Sequence, residues 1–74
     1  MIYLNLDLAM RKKGIGLIEL AQKVGITNAN MSLLKNGKVK GVRFDTLNKI
    51  CEILECQPGD ILIYEKDWIY KYAD

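Results

Sequence analysis

Apolar residues recur along this chain at helical spacing, in short blocks separated by glycine-bearing turns. Leu6, Ala9 and Met10 share one face, with Asn5 ahead of them as the expected helix cap and Gly14 behind them as a left-handed stop. Leu17, Leu20, Ala21 and Val24 follow at i, i+3, i+4 and i+7, opened by Gly16 and closed by Gly25. Ala21, small and mid-stripe, admits a second helix at close range. The third block has the fullest local grammar. Thr27 is an N-cap, Ile26 before it is placed to pack on Met31, and Asn36-Gly37 ends the helix. With Met31 and Leu34 turned inward, a wheel of about 100° per residue sets Ala29, Ser32 and Leu33 on the opposite face, flanked by Asn28 and Asn30.

A basic loop from Lys38 to Gly41 leads to a fourth helix starting near Phe44, whose expected buried stripe is Phe44, Leu47, Ile50, Cys51 and Leu54. Gln57-Pro58-Gly59-Asp60 opens a short fifth helix, with Pro58 in its first turn. Ile61 to Tyr64 then ends that helix and continues as a strand, with Ile2 to Leu4 as its expected partner. The pattern predicts an all-α domain of five helices over residues 1–66, with one short strand pair, followed by an aromatic tail at 67–74.

Composition narrows the function. The 74 residues are 50% apolar and 27% charged, which is globular and sufficient for one small domain. No histidine is present and Ser32 is the only serine, so a serine–histidine triad cannot be assembled and most zinc chemistry lacks its ligand. Cys51 and Cys56 lie five apart, outside any CxxC pair, and suit packing better than redox work. The longest apolar run, Ile61 to Tyr64, falls far short of the ~20 residues of a membrane span. The N-terminus lacks the pattern of a signal peptide. These features predict a cytosolic binding module with no enzymatic activity, cofactor, metal, small-molecule substrate or membrane.

Charge is unevenly divided along the chain. Residues 11–43 hold eight Lys or Arg and one acid, a net +7. Residues 44–74 hold three Lys and seven acids, a net −4, and Asp7 brings the whole to +2. A basic segment joined to an acidic one is what a chain with one face against a polyanion shows, and solvated surface lysines give the same pattern. Trp68, Tyr70 and Tyr72 sit in the acidic half, where phosphates are repelled, so packing or dimer contact is their expected role.

Two short helices joined at Gly25, the second opening on polar residues, fit a helix-turn-helix. The stretch LAQKVGITNANMSLLKNGKVKGVRF, residues 20–44, continued by DTLNKICEILECQPGDIL, resembles the Cro/cI-type (XRE-like) DNA-binding domains of phage repressors and small bacterial regulators. The resemblance covers roughly residues 4–64. It implies a lambda-repressor-like fold of five helices, with the third in the major groove of double-stranded DNA, and a homodimer on a partly palindromic site. It makes Asn28, Ala29, Ser32 and Leu33 the base-facing candidates, and Lys35, Asn36, Lys38, Lys40 and Arg43 the phosphate-facing ones. It implies a repressor-like transcriptional regulator. The sequence departs from the family where the second helix begins: Gly16, Leu17 and Ile18 stand where a polar cap and a polar phosphate anchor are usual. Exposed Ile18 and Leu33 would suit the rival reading, a protein-interaction module such as an antitoxin or anti-repressor.

Overall fold

A computed structural model describes residues 1–37 and 39–66. The order is β1 (Ile2–Leu4), α1 (Asp7–Lys13), α2 (Leu17–Val24), α3 (Asn28–Lys35), α4 (Phe44–Leu54), α5 (Pro58–Ile61) and β2 (Leu62–Tyr64). The expected five helices and the strand pair are all present. The aromatic tail, with Trp68, Tyr70 and Tyr72, lies outside the described residues.

The core is built from the stripes. Leu6 and Met10 of the first block, Leu20, Ala21 and Val24 of α2, Met31 and Leu34 of α3, and Leu47, Ile50 and Leu54 of α4 are buried, with Leu4 and Ile61 sealing one end. Left-handed glycines stop the first two helices, Gly14 at φ 69° and Gly25 at φ 88°. At the end of α4 the same backbone turn falls on Glu55, at φ 52°, which a glycine would adopt without strain.

Two sequence expectations are corrected. Asn5 does not cap α1: Leu6 holds the cap position, with no side-chain cap bond, and its side chain is fully buried. The Asn5 N–H donates instead to the Ile61 carbonyl at 2.8 Å, so this residue extends the sheet ladder. Phe44 does not join the buried stripe and is 86% exposed. It is the first residue of α4, where no described element covers it, and it overlooks an open groove shared with Leu47, Cys51, Pro58 and Leu62. Leu47, Ile50 and Leu54 are buried as expected, and Cys51 is half-buried against them.

β1 and β2 run antiparallel, pairing Ile2 with Tyr64, Tyr3 with Ile63 and Leu4 with Leu62. The Tyr3 hydroxyl donates to Glu65 Oε1 at 2.7 Å, and the neighbouring carboxylate raises the phenol pKa above its usual value. Asp60 steadies the helix between, its carboxylate accepting the Gln57 N–H at 2.9 Å.

Candidate nucleic-acid interface

The turn between α2 and α3 is fixed by one carbonyl. Ala21 O accepts both the Gly25 N–H, at 2.8 Å, and the Ile26 N–H, at 3.1 Å. A Cβ at Gly25 would meet no neighbour, so it is the positive φ, and not crowding, that favours glycine there. The Ala21 methyl is wholly buried where α2 and α3 cross. Thr27 then caps α3, its Oγ1 accepting the Asn30 N–H at 3.1 Å, which satisfies one of the helix's open donors. With Met31 and Leu34 locked in the core, the rest of α3 is forced outward.

That outward side carries most of the base-facing candidates. Asn28 and Ala29 are exposed, Leu33 is 45% exposed, and Ser32 is half-buried. Asn36 is exposed, and its amide reaches Ser32 Oγ at 3.5 Å, a long bond that links the two around the helix end. The face offers an amide, a hydroxyl and two apolar groups, the kinds of side chain that meet base edges and thymine methyls.

A hollow adjoins α3 on each side. One is lined by Asn30, Leu33, Gly41, Val42 and Arg43, between α3 and the start of α4. The Arg43 side chain is 85% exposed, and its guanidinium lies 4.0 Å from the Asp45 carboxylate, too solvated a pair to hold it firmly. Lys40 is exposed in the same loop, and Lys38 lies outside the described residues. The other hollow is lined by Asp7, Arg11, Gly14, Gly16, Leu17 and Lys35, where α1 ends and α2 begins. Here Lys35 Nζ sits 3.1 Å from Asp7 Oδ1. Gly16 caps α2 through its backbone alone, at φ −87° and ψ 174°.

The structure thus brings Asn28, Ala29, Ser32 and Leu33 to one element, with Arg43 on one shoulder and Lys35 on the other. Arg11 was missed as a site residue, although it belongs to the basic run Arg11-Lys12-Lys13, because only the folded chain brings the end of α1 beside Lys35. Ile18 is 60% exposed, as its departure from the family pattern led us to expect. Among the described residues no cluster of three or more His, Cys, Asp or Glu is placed to hold a metal, and no helix is long and apolar enough to cross a membrane.

A capped helix held against a second by a glycine turn, with its polar side turned out between basic flanks, defines a helix-turn-helix unit. Residues 5–67 match the Cro/C1-type HTH DNA-binding domain, and the chain belongs to that family. It is similar to the HTH-type transcriptional regulator YozG of Bacillus subtilis (strain 168), with 53% identity over 66 residues, covering 89% of this chain and 79% of that one. Its fold is also that of a Bacteroides fragilis protein described as DNA-binding, whose crystal structure superposes with a TM-score of 0.75 at 21% identity, over 85% of this chain and all of the other.

Proposed function

We propose that this protein is a sequence-specific, repressor-like transcriptional regulator that acts in the cytoplasm by binding and not by catalysis. It reads double-stranded DNA as a homodimer, one α3 in each of two successive major grooves. The observation that carries this is the outward face of α3, fixed by Thr27 and the buried Ala21 crossing, with Arg43 and Lys35 on its flanks.

In this reading Asn28 presents its amide to adenine, Ser32 offers a hydroxyl, and Ala29 and Leu33 meet thymine methyls. Lys35, Asn36, Lys38, Lys40 and Arg43 meet phosphates, joined by Arg11 across the second hollow. Leu17 has no side-chain donor, so the start of α2 contributes backbone amides only. Arg43, extended and loosely paired, also has the reach for a narrow minor groove. Exposed Ile18 and Leu33 are what would favour a protein partner instead.

Fluorescence anisotropy on a fragment of the gene's own promoter, against shuffled DNA, tests this over a salt series. Log K should fall with log salt by about 0.9 per neutralised phosphate, and the promoter should bind more tightly than the shuffled fragment. Asn28→Ala should cost about 1–3 kcal/mol on the promoter site and little on shuffled DNA. No binding at low salt, or binding that ignores salt, would replace this reading with the protein-partner one.

A further inference from the structure

Phe44 opens α4 with its ring in solvent, at the mouth of a groove of about 700 Å³. Leu47, Cys51, Pro58 and Leu62 line that groove, so its wall is mostly apolar. The apolar surface does not stop there. Alternate residues of a strand share a face with their opposite numbers, so Leu62 is followed by Tyr64 and Ile2, side by side and 71% and 67% exposed. Monomeric proteins rarely leave so continuous an apolar band in water.

The rest of the chain departs from this band. Residues 67–74, DWIYKYAD, follow Lys66 and hold Trp68, Tyr70 and Tyr72, three of the chain's six aromatics. Spaced two apart, those three share one side of an extended segment. Reach is sufficient. Four residues, about 13 Å of extended chain, separate Lys66 from Leu62, and the eight after Lys66 span about 26 Å. Charge fits as well. Glu52 stands exposed on the groove wall and makes no ion pair among the described residues, and Lys71 is the base between the two tyrosines.

We propose that residues 67–74 turn back on their own chain and cover this band, with Tyr70 and Tyr72 in the groove under Phe44 and Trp68 against Ile2 and Tyr64. The segment is then a strap across α4, α5 and β2, and it holds the start of α4, where Arg43 projects. The occupant is the chain's own segment because it is tethered through Lys66. A short tether keeps it at a millimolar effective concentration at the groove, far above that of a second copy in micromolar protein. The strap is independent of DNA, and so is its test.

Trp68 is the chain's one tryptophan, so its emission in the full-length protein reports on this segment alone. The emission should be blue-shifted from that of the urea-unfolded protein and should not change on dilution. Phe44→Ser, at a residue outside the core, should return it toward the unfolded value while the circular dichroism spectrum keeps its helix. The pair Tyr70→Ser and Tyr72→Ser should do the same. With Cys56→Ala leaving Cys51 as the one thiol on the groove wall, Tyr70→Cys should close a disulfide within one chain on mild oxidation. Ile69→Cys, on the other side of the segment, should not. The cross-link decides the case even if Phe44→Ser loses helix. Emission already at the unfolded value, emission unmoved by Phe44→Ser, or a Tyr70→Cys thiol that stays free overturns the proposal. A disulfide joining two chains, or emission that follows dilution, also overturns it and assigns the groove to a second copy.

Discussion

Lys35, in the last turn of α3, holds its ammonium 3.1 Å from the carboxylate of Asp7, in the first turn of α1. Each charge suits its own helix end, the acid near free N–H groups and the base near free carbonyls. The pair also places a carboxylate beside the proposed phosphate path. Both side chains are a third or more exposed, so the pair contributes no more than about 1 kcal/mol to stability. Asp7→Asn should tighten DNA binding several-fold and steepen its salt dependence, with only a slight fall in urea midpoint. Unchanged or weaker DNA affinity would show that Lys35 serves the fold and not the nucleic acid.

Phe44 and Leu47 sit one turn apart on α4 with opposite fates, 86% and 7% exposed. With residues 67–74 deleted, Phe44→Ala should change the stability of the dilute monomer by no more than about 0.5 kcal/mol, whereas Leu47→Ala should cost about 2–5 kcal/mol. Urea titration at low protein concentration makes the comparison. Equal losses would mean that a surface other than the tail covers Phe44 in solution.

Glu55 ends α4 at φ 52°, where a β-carbon is strained, and its carboxylate lies 2.5 Å from Lys13 Nζ. Comparing Glu55→Gly with Glu55→Ala removes the ion pair from both variants and isolates the backbone. The glycine variant should be the more stable by about 1 kcal/mol, reversing the usual helix preference for alanine. An alanine variant of equal stability would place the turn in another conformation.

Burial and the neighbouring Cys51 push the Cys56 thiol up to about 11 from an ordinary 9.0. The folded state therefore holds this proton more tightly than the unfolded chain. The resulting stability is present below pH 9 and is lost as pH rises from 9 through 11. Cys56→Ala should flatten part of the decline in urea midpoint between pH 8 and 10.5. At pH 8 alkylation of Cys56 should run on the order of 100-fold slower than that of an unfolded cysteine. Fast labelling would reveal an accessible thiolate.

Periodicity made most of this fold legible, and the misses share one physical cause. The stripes of α2 and α3 were readable because their caps and glycines are local, as Thr27 and Gly25 show. Phe44 obeys the same stripe as Leu47, yet a stripe says only which side is apolar and not whether anything lies over it. Asn5 has the chemistry of a cap, but its N–H was claimed by Ile61, fifty-six positions away in sequence. Of the candidate interface, the α3 face followed from the wheel alone. The approach of Asp7 and Arg11 to Lys35 did not, because it depends on how α1 packs against the helix-turn-helix.

The strand pair joins the first-made described segment to the last. Vectorial synthesis therefore delivers α1 to α4 before Leu62–Tyr64 exists, so the contacts of α2 with α3 are available while Ile2–Leu4 still lacks its partner. Closing a loop of about sixty residues carries an entropy cost that grows only with the logarithm of length, so the delay is one of timing more than of energy. A chain cut short before Leu62 would keep its helix-turn-helix segments and lose the zipper that fastens them, leaving Ile2–Leu4 as an unmatched edge in the crowded cell.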